Sequence, residues 1–308
     1  MKDQLKKLLF QHAPVRGEFV ELSETWHQIQ LHHGYPLPVT RLLGEMIGAA
    51  VLLSANIKFD GSFIMQVQGS GPVRLLVVEC DSSLKIRATA KLAEDAVIKE
   101  NATFTDLINP NGTGRFVITL DPHDKVPGQR PYQGIVSLDG ESISRIIENY
   151  MKQSEQLDTR IWLAADSLVI RGLLLQKMPP ETGPDGLAEK NDEDDKAWEH
   201  LLALASTLKT EELLETDIET LQHRLFWEED LSAFDPVHPA FSCSCSREKV
   251  GNMLKMLGKK EIDDALREQG NLAIHCDFCG KTYSFDPVDC AQLFTDNSSS
   301  EPPGPSVH

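Results

Sequence analysis

Positive charge is scarce in this chain. Thirty Lys and Arg face 47 Asp and Glu, for a formal net charge of −17, and residues 181–230 alone hold 16 acidic side chains against 4 basic ones. A protein whose main task is to grip nucleic acid needs clustered Lys and Arg against the phosphates, so no nucleic-acid partner is expected. Long apolar runs are missing too. The longest, Met46 to Leu53, is far short of the about 20 residues that span a bilayer. The opening residues, Met1-Lys-Asp-Gln-Leu-Lys-Lys-Leu-Leu-Phe10, mix charge among the apolar side chains instead of forming the apolar stretch of a secretory signal. A soluble, cytoplasmic protein with no membrane partner is the expectation, and Asn111-Gly-Thr113 then has no glycosylation meaning. Catalytic signatures are also absent. There is no Gly-x-Ser-x-Gly, no His-Glu-x-x-His and no paired-carboxylate motif, so the chain does not read as an enzyme.

What is present is enough apolar material for a sizeable core: 308 residues, 41% hydrophobic. Residues 1–178 read as an α+β core domain, a mixed β-sheet with helices inserted. Pro38 can open a helix through Leu42, Leu43, Met46, Ile47, Ala50 and Val51, whose spacing gives one apolar face. Strands are expected at Ser62–Gly69, Val73–Cys80, Leu84–Leu92, Arg115–Leu120, Gly134–Leu138, Thr159–Ala165 and Leu168–Gln176, with a polar helix from Ser142 to about Gln156. Gly69-Ser-Gly71 and Gly112-Thr-Gly114 fit hairpin turns better than phosphate loops.

Pro179-Pro180 ends the core, and 179–239 reads as an acidic helical linker that opens with a flexible connector, Glu181–Glu193. Trp198, Leu201, Leu202, Ala205 and Leu208 form one stripe; Leu214, Ile218, Leu221 and Leu225 form another, with Thr210 a candidate N-cap ahead of Glu211 and Glu212. Such short helices need a docking surface. They fit either ordinary surface helices or a conditionally folded linker. A small module spans 240–294, and 295–308, Ser- and Pro-rich, reads as a disordered tail.

The chemistry is concentrated in that module. Cys243-Ser-Cys245 and Cys276-Asp-Phe-Cys279 are two tight cysteine pairs separated by 30 residues, with Gly280 directly after the second. The cytosol keeps thiols reduced, so clustered cysteines there point to metal or redox chemistry. Four thiolates in two pairs can surround one tetrahedral zinc per chain, and Gly280 permits the left-handed backbone that brings amides towards the sulfurs. Four protein ligands leave no open position, so the metal would be structural and would not activate water. The same pairs could close into local disulfides if the metal leaves. Leu254, Leu257, Ile262, Ala265 and Leu266 supply only a thin core. A structural zinc contributes about 10–16 kcal/mol to small folds, comparable with the about 5–15 kcal/mol that holds a whole domain, so metal loss should unfold the module. Cys80 reads as a small buried residue, Cys290 as a surface bystander, and His275 as a neighbour of the site rather than a ligand. A zinc-ribbon interaction module and a thiol-disulfide oxidoreductase built on Cys276-x-x-Cys279 remain as alternatives.

Over nearly its whole length the chain resembles the redox-regulated 33-kilodalton chaperonin family. The resemblance is carried by His33-Gly-Tyr-Pro36, Leu43-Gly-Glu45, Lys58-Phe59, Gln68-Gly-Ser-Gly-Pro72, Gln153-Ser-Glu-Gln156 and Gly172-Leu-Leu-Leu-Gln176, then Arg224-Leu-Phe226, Phe241-Ser-Cys-Ser-Cys-Ser246 and Cys276-Asp-Phe-Cys-Gly280. It implies a cytoplasmic holding chaperone, silent when reduced, with zinc on Cys243, Cys245, Cys276 and Cys279. On oxidation it implies disulfides Cys243–Cys245 and Cys276–Cys279, zinc release, linker unfolding, dimerisation, and handover of unfolded client proteins to an ATP-dependent chaperone of the seventy-kilodalton class. With that mechanism, Trp198, Leu201, Leu202, Leu208, Leu214, Ile218, Leu221 and Leu225 become the client-binding candidates, since exposed apolar patches capture other unfolded chains. The surrounding acid would keep such complexes soluble.

Overall fold

A computed structural model of the chain describes residues 3–57, 59–124, 130–179 and 192–295. Lys58, most of the expected connector and all of the expected tail but Thr295, which ends a helix, lie outside them. The chain divides into two units between Ser242 and Cys243.

The first unit begins with a hairpin that the sequence pattern hides: β1 (Gln4–Phe10) pairs antiparallel with β2 (Val15–Leu22). Lys6 and Lys7 interrupt the alternation of β1, and Glu18 and Glu21, both buried, disguise β2. A short helix, α1 (Glu24–Gln30), leads to α2 (Leu37–Ser54). The next strands, β3 (Gly61–Gln68), β4 (Val73–Asp81) and β5 (Lys85–Leu92), form a meander. The helix α3 (Phe104–Ile108) is closed by a Thr103–Asp106 capping box. Strands β6 (Arg115–Pro122) and β7 (Tyr132–Val136), helix α4 (Ile143–Gln153), then β8 (Thr159–Ala165) and β9 (Ile170–Lys177) complete the expected set. The turn at Gly69-Ser-Gly71 does join two hairpin strands, whereas Gly112-Thr-Gly114 connects α3 to β6, its fold held by the Asn109 side chain accepting from the Gly114 N–H at 2.8 Å.

Beyond residue 192 the chain is helical as expected, but divided differently. Helix α5 spans Asp192–Ala205 with four acids in its first turn, where they favour the helix dipole. The second stripe is two helices, α6 (Thr210–Glu215) and α7 (Ile218–Phe226). The break falls at Thr216 and Asp217, both extended, and the Asp217 carboxylate caps α7 by accepting from the Thr220 N–H at 2.9 Å. Thr210 is the first helical residue; Lys209 occupies the N-cap position and its side chain makes no capping bond. Two short strands follow, β10 (Leu231–Ala233) and β11 (Ala240–Phe241).

The strands form two sheets, ordered β10-β1-β2-β9-β8 and β11-β5-β4-β3-β6-β7. Thus β10 lies along β1 and β11 along β5, and each covers an edge that would otherwise present unpaired backbone groups. Helix α2 packs against strands of both sheets. Nearly every residue from Pro38 to Ser54 is therefore buried, where spacing alone predicts a single apolar face. By length and composition α2 could cross a membrane, yet 83% of it is buried within the fold. Gly44 allows the close approach: a Cβ there would stand 2.5 Å from the Cβ of Ala165.

The five-stranded sheet is apolar on both faces. Val20, Ile161 and Leu174 join the core around α2, while Phe19, Leu173 and Leu175 face the opposite way. Burial on both faces explains the unbroken leucine run of β9.

The second unit comprises α8 (Arg247–Leu257), α9 (Lys259–Gln269), the hairpin β12 (Leu272–His275) with β13 (Thr282–Phe285), and α10 (Pro287–Thr295). Its buried core is Leu254, Ile262, Leu272, Tyr283, Phe285 and Cys290. Two expectations fail here. Leu257 sits at the end of α8 and is 56% exposed, and Cys290, on the inner side of α10, is only 2% exposed. In so small a module a helix that lies across the hairpin must supply core from every inward position, and a thiol serves as a small apolar side chain there.

Candidate metal centre and the docked helices

Cys243 follows β11 after one residue, and Ser246, directly beyond Cys245, caps α8 by accepting from the Lys249 N–H at 3.1 Å. The first cysteine pair is thus held in an extended segment that ends on a helix start. The second pair lies in the turn of the β12–β13 hairpin. There the Cys276 N–H donates to the Lys281 carbonyl and the Gly280 N–H to the Cys276 carbonyl, both at 2.9 Å. Gly280 has φ +65°, the left-handed conformation expected of it.

The fold brings all four sulfurs within 4.8 Å of one another. Cys243 Sγ lies 3.6 Å from Cys276 Sγ, and Cys245 Sγ lies 3.4 Å from Cys279 Sγ. A regular tetrahedron with metal–sulfur bonds of about 2.3 Å has edges of about 3.8 Å, so these separations suit one central ion. Four soft thiolate donors in that arrangement favour zinc over hard cations. All six cysteines are free thiols.

The protons are shared unequally across this cluster. Burial opposes ionisation of Cys245, but hydrogen bonds from Tyr283 and the neighbouring thiols outweigh it and bring its pKa down to about 7. The Tyr283 hydroxyl donates to Cys245 Sγ at 3.1 Å. Cys279 is pushed up to about 12, by burial first and by the adjacent sulfurs next. Like charges this close cannot all ionise without a cation among them. His275 is exposed and its Nδ1 pairs with the Thr282 hydroxyl at 2.9 Å, so it stands outside the cluster. Cys80 is fully buried at the end of β4, and burial pushes its thiol up to about 12, which makes it inert.

The eight apolar linker residues are also brought together. Trp198, Leu201, Leu208, Ile218, Leu221 and Leu225 are buried, with Leu202 and Leu214 half-buried beside them. Their docking surface is the outer face of the five-stranded sheet: Leu8, Phe10, Val15, Phe19, Leu173 and Leu175. Phe226 of α7 meets Phe10 edge-on, with ring centroids 5.2 Å apart. Helical spacing identifies the linker side of this interface but leaves the sheet side unmarked. The run Leu173–Leu175 is the signal that could have found it, because a strand apolar at consecutive positions needs cover on both faces.

A buried ion pair fastens the same interface. Arg171 on β9 donates from Nε to Glu21 at 2.9 Å and from Nη1 to the Leu214 carbonyl of α6 at 2.5 Å. Both side chains are almost wholly buried. The guanidinium therefore neutralises a core carboxylate and also caps the last turn of a docked helix.

Comparison with known proteins gives one consistent answer. The family model described as Hsp33 protein matches residues 3–286. The 33 kDa chaperonin of Methylobacillus flagellatus is 46% identical over 296 residues, covering 96% of this chain and 95% of that protein. The 33 kDa chaperonin of Chromobacterium violaceum is 42% identical over 292 residues, covering 95% and 94%. The crystal structure of the 33 kDa chaperonin from Thermotoga maritima shares the fold, with a TM-score of 0.75 at 20% identity, over 94% of this chain and 97% of that one.

Proposed function

This chain belongs to the Hsp33 family of chaperones, and on that premise we propose that it is a cytoplasmic, redox-regulated holding chaperone rather than an enzyme. In this reading the chain has a core over 1–178, a metastable linker over 179–239, a switch module over 240–294 and a tail over 295–308. The observation that carries it is the convergence of Cys243, Cys245, Cys276 and Cys279 on one point, within a module whose own core is thin.

In the reduced state Cys243, Cys245, Cys276 and Cys279 would hold one zinc ion. When bound, it would cross-link the segment before α8 to the β12–β13 turn and so hold the module folded. Each pair of thiolates gives up two electrons to an oxidant such as hydrogen peroxide or hypochlorous acid, by way of a sulfenic acid. Cys243 then bonds to Cys245 and Cys276 to Cys279, and the oxidant leaves reduced, as water or as chloride and water. Sulfurs committed to disulfides no longer donate to the metal, and the module loses its main source of stability.

Chain continuity carries the effect back to the linker. An unfolded module leaves β11, two residues long, without an anchor on its far side, and the helices α5 to α7 are short enough to need their docking. Their release exposes Trp198, Leu201, Leu202, Leu208, Leu214, Ile218, Leu221 and Leu225, together with the sheet face beneath them. Apolar surface of that extent binds unfolded client proteins and also supports a homodimer of the activated chain. Handover to an ATP-dependent chaperone completes the cycle.

Amide exchange tests the order of events. Before oxidation, residues 192–241 should be protected. After loss of four thiols and one zinc per chain they should exchange at rates near those of an unfolded peptide, while β3 to β6 keep their protection. Oxidised protein whose linker stays fully protected would contradict the proposal.

A further inference from the structure

Helix α4, strand β8 and the segment between α5 and α6 enclose a cavity of about 340 Å³. In a chain of net charge −17 its lining is cationic. Arg145 and Arg160 both donate to Oε2 of Glu148, at 2.9 and 2.8 Å, and the Ile161 N–H takes the other oxygen at 2.9 Å. One saturated carboxylate thus balances two guanidiniums. Lys209 adds a third cation, and it has no carboxylate partner among the described residues. The arginine side chains remain 61% and 44% exposed, so both still present N–H groups to the opening.

The strand contributes a further donor. β8 is the outermost strand of its sheet. Its Ile161 N–H points away from β9 towards Glu148, so the two-residue repeat turns the Leu163 N–H the same way. Leu163 lines the cavity, and that N–H meets no acceptor among the described residues. Ser206, directly after α5, also lines the cavity.

We propose that this cavity binds an anion carrying two or more phosphoryl groups. Two planar guanidiniums, an ammonium and an outward amide match the many equivalent oxygens of such a ligand, and guanidinium forks suit phosphate geometry. A cavity of this volume is larger than a single phosphate needs. The excess of two positive charges calls for a multivalent partner, which a lone carboxylate is not.

The donors come from two sides. Arg145, Arg160 and Leu163 belong to the core, whereas Ser206 and Lys209 belong to the segment that joins α5 to α6. A ligand held by both sides ties that segment to the sheet. If the linker reading above holds, the ligand therefore favours the resting state and slows oxidative activation. That last step rests on the proposed function; the binding site does not.

Titration calorimetry on the full-length, reduced, zinc-loaded chain tests the site, with sodium tripolyphosphate and ATP in separate arms at fixed ionic strength. One saturable site for tripolyphosphate is expected, weakened at least tenfold by Lys209→Met and by Arg160→Met and retained in Lys209→Arg. Binding of ATP as tight as tripolyphosphate identifies a nucleotide as the source of the phosphates, and much weaker ATP binding identifies an inorganic chain. Absence of saturation, or both Met variants binding as tightly as the parent, overturns the proposal. Amide exchange at 206–213 should slow at least fivefold in the saturated reduced protein; unchanged exchange there would overturn the two-sided grip. No oxidation enters these measurements, so failure of the holdase reading would leave their outcome intact.

Discussion

Glu18 carries an unusual burden for a single side chain. It is buried in β2, its Oε2 has no hydrogen-bond partner among the described residues, and burial pushes its pKa up to about 7 against the pull of Lys7, Arg16 and Asn56. An unfolded glutamate titrates near about 4.3. Between those values the folded chain holds a proton that the unfolded chain has released. The contribution to stability is therefore complete below about pH 4 and is lost as pH rises through about 7. Glu18→Gln should raise stability in urea at about pH 8, on the order of 1–3 kcal/mol, with the gain falling as pH drops below about 7 and vanishing only below about pH 4. A gain that is constant with pH would show that the carboxyl is not the titrating group. Cys290 offers a second test at this scale. Replacing a buried thiol with a hydroxyl costs about 1–3 kcal/mol, so Cys290→Ser should lower the melting temperature of the zinc-loaded module; an unchanged value would make it a bystander after all. The four clustered cysteines were legible in the sequence because two tight cysteine pairs rarely occur together except around a metal or as disulfides. Cys290 was not, since nothing in a lone cysteine reveals which side of a helix it occupies.

Among the elements, the docked helices and the sheet under them carry the restraint proposed above. Leu221 is fully buried against the sheet, and Leu→Ala at such sites costs about 2–5 kcal/mol. In the metastable linker proposed above that is enough to undock α7, so Leu221→Ala should hold unfolded clients without any oxidant, as read by light scattering of the reduced protein. A variant that stays silent when reduced would mean that the helices are not the restraint. Arg171→Lys keeps a charge for Glu21 but loses the fork that also reaches the Leu214 carbonyl. Amide exchange at 210–216 should accelerate in that variant, with β9 unaffected. Elements with a clean period were readable in advance: Thr159–Ala165 is β8 to the residue. β1 and β2 were not, because half-buried lysines in the first and buried glutamates in the second broke the alternation on which strand reading depends. The second linker stripe hid a break at Thr216 and Asp217, since an apolar pattern at helical spacing survives a two-residue interruption.

Across the whole molecule, stability is divided unevenly. The first unit buries a large core around α2, while the second has, among the described residues, six buried apolar side chains and a cluster of thiols. Chelation under reducing conditions should therefore erase the dispersed amide signals of residues 243–295 and leave those of β3 to β6 in place; a module that stays folded without metal would show that zinc is no latch. The acidic balance, −17 overall, works at this scale too. On the proposed mechanism it would keep the chain soluble once its apolar surface is uncovered. On the proposed mechanism, oxidation of the four thiols is what turns holding activity on. Aggregation of a chemically unfolded client, followed by light scattering with reduced zinc-bound and fully oxidised protein side by side, separates the two states. Suppression by the oxidised form at near-stoichiometric ratio, and none by the reduced form, is the expected outcome. Equal protection by both would contradict it.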